Sequence, residues 1–124
     1  MDDEPLLISA HGTGTPLNDQ NEAAALRAVF ADRLDRYPVI ATKSLHGHLI
    51  GGSAALQAVI TLRALNEGLA PPVLNYLGPD PECAVDLVLG SARPIAARKA
   101  LVNAFAFGGL NVSMALAGRV AALA

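Results

Sequence analysis

The stretch ATKSLHGHLIGG, residues 41–52, places one lysine and two histidines within six positions and then passes straight into glycine and apolar residues. Before it, the short apolar run at residues 38–41 reads as a buried strand. After it, Leu56, Val59, Ile60, Leu62 and Leu65 recur at helical spacing over about residues 49–67, and Gly68 supplies a helix stop. Beyond Ser53 only Gln57, Thr61, Arg63, Asn66 and Glu67 interrupt the apolar character of that helix, so its sequence predicts burial on most sides. A strand, a polar loop and a buried helix in succession set Lys43, His46 and His48 at the mouth of an apolar interior.

Working outward, the alternation continues. Residues 6–9 form a short apolar run that stops at the turn-rich HGTGTPLND, which predicts a strand ending at an exposed loop. Asp19 with Glu22 three positions later reads as a capping box, and Leu26, Val29, Phe30 and Leu34 then repeat as one face of a surface helix. Past the proline-rich APPVLNYLGPDPE come three strand candidates, residues 85–89, 100–105 and 112–116. The last two flank AFGGLN and read as neighbours joined by a glycine turn. No linker, repeat or low-complexity tract divides the chain, so residues 1–124 are expected to form one α/β domain with layered helices and sheet.

Composition narrows the function. With 52% hydrophobic and 16% charged residues, the chain has the make-up of a packed interior and not of a disordered segment. A formal net charge of -2 with scattered basic residues leaves no positive stripe to follow a phosphate backbone, so nucleic acid is not an expected partner. No apolar run reaches the roughly 20 residues needed to span a bilayer, and the acidic start Met1-Asp2-Asp3-Glu4 is unlike a secretory signal. A cytoplasmic, membrane-free location is the expectation. The single cysteine, Cys83, excludes an internal disulfide framework.

Individually, the conspicuous residues stay ambiguous. Gly12-Thr13-Gly14 could open a phosphate loop, but neither dinucleotide nor nucleotide fingerprint is completed, and a plain turn reads better. His11, His46 and His48 offer three imidazoles without an acidic or cysteine ligand at characteristic spacing, so no metal is expected. Lys43 alone would be a solvated charge, and Phe105 and Phe107 a strand face.

Taken in order, four segments change the reading. ISAHGTGTPLND, ATKSLHGHLIGG, APPVLN and NAFAFGGLN closely resemble the carboxy-terminal half of elongating β-ketoacyl-acyl carrier protein synthases, from about Leu7 to Leu116. The resemblance implies a thiolase-like fold, a layered mixed sheet with helices, of which this chain holds most of one half. It also implies acyltransfer: a malonyl thioester on a carrier protein is decarboxylated, and the carbanion joins an acyl group in a Claisen condensation for fatty-acid or polyketide synthesis. The histidines that stabilise the enolate fall on His11 and His48, and the accompanying lysine on Lys43. Thr13 and Thr15 take the place of the pantetheine-binding threonines, and Phe107, Gly108 and Gly109 that of the gate and oxyanion turn. No cofactor is implied beyond the phosphopantetheine that carries the substrates.

Three positions depart from the family pattern: His46 and Leu110 stand where threonine is usual, and Ala106 where glycine is. A larger departure is the nucleophile. The family uses a cysteine at a helix start in the amino-terminal half, whereas Cys83 lies in the turn-rich PDPECAVDL and reads as a small structural residue. The chain alone is therefore expected to be inactive. Its expected partners are acyl carrier protein and an amino-terminal half or partner subunit with that cysteine, in an oligomer. The alternative is a non-catalytic partner subunit that shapes an acyl pocket, in the manner of a chain-length factor.

Overall fold

The computed structural model describes residues 4–119. Strand β1 (Leu6–Ser9) leads to helix α1 (Pro16–Phe30), whose chain continues into a 3-10 turn at Ala31–Arg36 and then strand β2 (Val39–Ile40). Short helix α2 (Lys43–His46) and the long α3 (Ser53–Glu67) follow, then β3 (Leu69–Ala70), β4 (Arg93–Pro94), β5 (Lys99–Ala106) and β6 (Leu110–Ala117). The main sheet has the order β2-β1-β5-β6. β1 runs parallel to β2 and β5, while β5 and β6 are antiparallel. β3 and β4 form a separate antiparallel pair.

Successive residues of β1 point to opposite faces, and this alternation builds two cores. Leu7 packs with Ile40, Ala64, Leu65, Val88 and Ala100 on the α3 side. Ile8 packs with Leu26, Leu34, Tyr37 and Val39 on the α1 side. The sheet is thus sandwiched between α1 and α3, with a single apolar run filling both layers.

Several expectations shift in detail. Asp19 and Glu22 do not cap α1: the helix starts at Pro16 with Thr15 preceding it, and proline at the first helical position costs nothing because that N–H has no helical partner. Glu22 is buried instead and serves the site described below. Residues 85–89 form isolated bridges to Val39 and Val73 in place of a strand, since the Leu87 N–H is spent locally on the Val85 carbonyl at 2.9 Å. The hairpin of β5 and β6 is as expected, closed by the pair Ala106 and Leu110, the two residues that depart from the family pattern there.

Helix α3 corrects the sequence reading most. It buries the polar stripe Ser53, Gln57 and Thr61 against the sheet, with Ala64 and Leu65 continuing it. Val59 stands 63% exposed on the outer side. Arg63, Asn66 and Glu67 are exposed as well, so the outer side is mixed, while the inner side carries three polar side chains where an apolar stripe is usual. Along β6, Leu110, Val112 and Met114 are also exposed.

Candidate functional site

Three chain turns at one end of the sheet assemble the site. β1 delivers His11 just past its last residue, α2 begins at Lys43 beyond β2, and His48 follows in the loop before α3. Gly12 makes the convergence possible. Its φ is +44°, and a Cβ there would stand 2.8 Å from the Ala41 Cβ, so only glycine lets the loop after β1 cross the end of β2 this closely.

The rings of His11 and His48 meet edge to face with centroids 5.7 Å apart, and Phe105 packs on His11 at 5.3 Å. Lys43 Nζ lies 3.3 Å from His11 Nδ1 and also donates to the His11 carbonyl and, at 3.1 Å, to Gln57 Oε1. On the second histidine, Ile50 N–H donates to His48 Nδ1 at 3.0 Å, an approach that requires Ile50 to adopt φ 52°. Ser53 Oγ, which accepts from Leu49 N–H at 2.8 Å, lies 3.0 Å from the same nitrogen and has its own proton to give it. Nδ1 of each ring thus faces a donor. In the neutral ring the remaining proton sits on Nε2.

Charge follows from this arrangement. Burial, then Lys43, then His48 hold His11 at about 4, well below the usual 6.5, with Asp19 pulling the other way. Burial pushes Lys43 below the ordinary lysine range, and the Glu22 and Asp19 carboxylates oppose the shift. At neutral pH His11 is a neutral hydrogen-bond donor beside a cation.

Glu22 is the residue that sequence reasoning misassigned. Its carboxylate accepts from His11 N–H at 2.9 Å, Gly12 N–H at 3.0 Å and Asn103 Nδ2 at 2.9 Å, tying α1 to the ends of β1 and β5. Asn103 in turn accepts from Ser113 Oγ at 2.8 Å on β6. An acidic residue directly before the run Ala23-Ala24-Ala25, beyond the first turn of the helix, was the available signal.

The other anticipated residues occupy two places. Thr13 and Thr15 hold hydroxyls 2.9 Å apart at the rim of a groove of about 1120 Å³, which also reaches Lys43, His48, Leu74 and Tyr76. Phe107 is fully exposed at the tip of the β5–β6 hairpin, with Gly108 and Gly109 both at φ 79°, while Phe105 is the aromatic that touches His11. His46 ends α2 half-buried, its Nε2 3.2 Å from Thr42 Oγ1. Cys83 closes a 3-10 turn at Pro81–Cys83 and lines the groove; burial and then Asp80 push its thiol upward, so it is protonated at neutral pH. Among the described residues no cluster of three His, Cys, Asp or Glu side chains is placed to hold a metal, and no helix is long and apolar enough to cross a membrane.

Residues 6–77 match the protein family described as Beta-ketoacyl synthase, C-terminal domain. Nodulation protein E of Rhizobium meliloti is 44% identical over 108 residues, which are 87% of this chain and 27% of that protein. The 3-oxoacyl-[acyl-carrier-protein] synthase 2 of Synechocystis sp. is also 44% identical over 108 residues, 87% of this chain and 26% of that protein. The chain therefore spans about a quarter of the length of these curated relatives. Among solved structures, the ishigamide ketosynthase/chain length factor superposes with a TM-score of 0.89 at 36% identity over 97% of this chain and 29% of that one. A type II PKS acyl-carrier protein in complex with its ketosynthase superposes with a TM-score of 0.88 at 27% identity, over 91% of this chain and 28% of that one. The mixed sheet between helices accordingly lies within the carboxy-terminal half of a thiolase-like ketosynthase fold, and at about a quarter of the whole it is roughly half of that half, less than the expected most of it.

Proposed function

Because this chain belongs to the β-ketoacyl synthase carboxy-terminal domain family, we propose that it supplies the enolate-stabilising donors of a β-ketoacyl-acyl carrier protein synthase. The observation that carries the reading is that His11 and His48, with ring centroids 5.7 Å apart, each meet a donor at Nδ1, which leaves Nε2–H of each for a substrate. Two imidazole N–H groups on adjacent rings suit one developing oxyanion.

The chemistry follows from that pair. A malonyl thioester that loses carbon dioxide leaves the electron pair of the broken C–C bond on the α-carbon, delocalised onto the thioester oxygen. His11 and His48 Nε2–H groups hold that oxygen while negative charge develops. The carbanion then attacks the carbonyl of an acyl thioester, the new C–C bond forms, and the cysteine thiolate departs. Lys43 keeps His11 in the donor form by like-charge opposition to its protonation. Thr13 and Thr15 stand at the groove rim, where pantetheine hydroxyl and amide groups find both donors and acceptors. Phe107, Gly108 and Gly109 form an exposed hairpin tip free to move as a gate over the acyl-cysteine.

The acyl-bearing cysteine comes from an amino-terminal half, on the same or another polypeptide, since Cys83 is in the wrong protonation state and environment. Outward Val59 of α3 with Leu110, Val112 and Met114 of β6 gives that half a surface to cover. Acyl carrier protein is the expected substrate carrier, as it is for the related ketosynthase solved with its carrier. The reading as a non-catalytic partner subunit is disfavoured by the presence of both histidines in donor orientation together with the lysine.

The test is reconstitution. Mixed with an amino-terminal ketosynthase half bearing the nucleophilic cysteine, the chain should yield β-ketoacyl product from acyl and malonyl carrier proteins, and each half alone should yield none. Product from this chain alone with Cys83→Ser would overturn the assignment.

A further inference from the structure

Helix α2 is a single turn of four residues that starts at Lys43 and ends two residues short of His48. A helix this short has few bonds of its own to hold it: Ser44 N–H donates to the Ala41 carbonyl at 3.2 Å, Leu45 N–H to that of Thr42 at 2.9 Å and Gly47 N–H to that of Lys43 at 2.8 Å. His46, one of the positions that depart from the family pattern, adds a bond along the turn. Its Nε2 lies 3.2 Å from Oγ1 of Thr42, four residues earlier and 1% exposed. Its Nδ1 is buried, and among the described residues no group stands within hydrogen-bond distance of it. These two observations place the ring proton. On Nδ1 it would be a buried N–H without an acceptor, which folded chains avoid. On Nε2 it is given to Thr42, and the bare Nδ1 leaves only a lone pair unused.

We propose that His46 is a positioning residue of the site, whose Nε2–H donates to Thr42 Oγ1 and staples the single turn that separates Lys43 from His48. The inference rests on the roles given above to those two residues and adds the group that fixes their spacing. Thr42 is the anchor at one end, since holding its buried hydroxyl holds the backbone from which Lys43 projects. At the other end Gly47, with φ 77° and ψ 179°, leaves the helical path directly after His46. The staple therefore also fixes the point from which the chain departs toward His48. Reach decides which side chains can do this. Nε2 of histidine and Nε2 of glutamine stand the same number of bonds from Cα, whereas the amide nitrogen of asparagine stands one bond short, in the place of histidine Nδ1.

The experiment is nitrogen-15 spectroscopy of histidine-labelled intact protein without substrate, with His46→Gln and His46→Asn as variants. In the unsubstituted protein the His46 ring should be a single tautomer protonated on Nε2. His46→Asn should loosen α2 and let Lys43 draw away from His11 Nδ1, raising the His11 protonation midpoint from about 4 by about 1 pH unit. His46→Gln, whose amide reaches Thr42, should leave that midpoint where it is. A midpoint that rises in both variants or in neither, or a His46 ring protonated on Nδ1 in the unsubstituted protein, would overturn the proposal. Should either variant fail to fold, the unsubstituted protein decides: slow solvent exchange of the Nε2 proton and its nuclear Overhauser contact to the Thr42 methyl are expected, and rapid exchange or no contact would overturn it. None of these readouts requires turnover, so a chain that shows them yet fails to support decarboxylation would refute the proposed function and leave the role of His46 standing.

Discussion

Lys43 Nζ sits 3.3 Å from His11 Nδ1, a cation held directly against a buried imidazole. Burial first, and this contact after it, make the protonated ring unfavourable in the folded state, with a measurable consequence for stability. The His11 value of about 4 lies below the ordinary 6.5, so the unfolded chain binds the proton more readily than the folded one between those limits. Stability contributed by neutral His11 is present above pH 6.5 and is lost as pH falls toward 4. Urea unfolding across that window should show the decline, and His11→Asn should flatten it. An unchanged slope in the variant would assign the decline to other groups.

Glu22 should be sensitive to an isosteric change. In Glu22→Gln one carboxylate oxygen becomes an NH2 group facing either the donors of His11 and Asn103 or the N–H of Gly12, leaving a buried donor without an acceptor. The expected cost is about 1–3 kcal/mol. Chemical denaturation checks it, and a loss below about 0.5 kcal/mol would mean the carboxylate is not the tie between α1 and the strand ends.

The glycines of the loop after β1 separate two effects. Gly12→Ala meets the Ala41 Cβ at 2.8 Å as well as an unfavourable φ of +44°, whereas Gly14→Ala has open space and only a φ of +74° to contend with. Gly14→Ala should cost about 1 kcal/mol, the backbone penalty alone. Gly12→Ala should cost more, by about 1–3 kcal/mol of overpacking. Equal losses would show that the crossing over Ala41 is not tight.

Val59 on α3 and the exposed Leu110, Val112 and Met114 on β6 predict association. Produced by itself, the chain should sediment as aggregates or oligomers at micromolar concentration, and Val59→Lys with Val112→Lys should shift it toward monomer. A soluble monomer before substitution would show that the exposed residues form no adhesive surface.

Much of this arrangement was legible in the residues, for reasons that differ by element. β1, the β5–β6 hairpin and the stop at Gly68 follow from local rules of pattern and turn, which depend on near neighbours only. His11, Lys43 and His48 were legible by family resemblance, because no periodicity brings positions 32 and more residues apart into one site. Glu22 was misread since an acidic residue three positions after Asp19 satisfies a local capping rule, while its true donors lie in the loop after β1 and on β5. The orientation of α3 was missed for the opposite reason. Counting apolar residues assumes that they face inward, and here Gln57 takes the inner face because the strand ends and Lys43 offer it polar partners, while the Thr61 hydroxyl is satisfied within the helix by the Gln57 carbonyl.

The most direct measurement of the central claim is release of carbon dioxide from malonyl-carrier protein by the assembled synthase. His11→Ala and His48→Ala should each slow release by about 100-fold or more, the usual cost of removing one preorganised oxyanion donor, while both variants retain acylation of the nucleophilic cysteine. Decarboxylation at the unsubstituted rate in either variant would contradict the assignment of these two histidines as the enolate-stabilising pair.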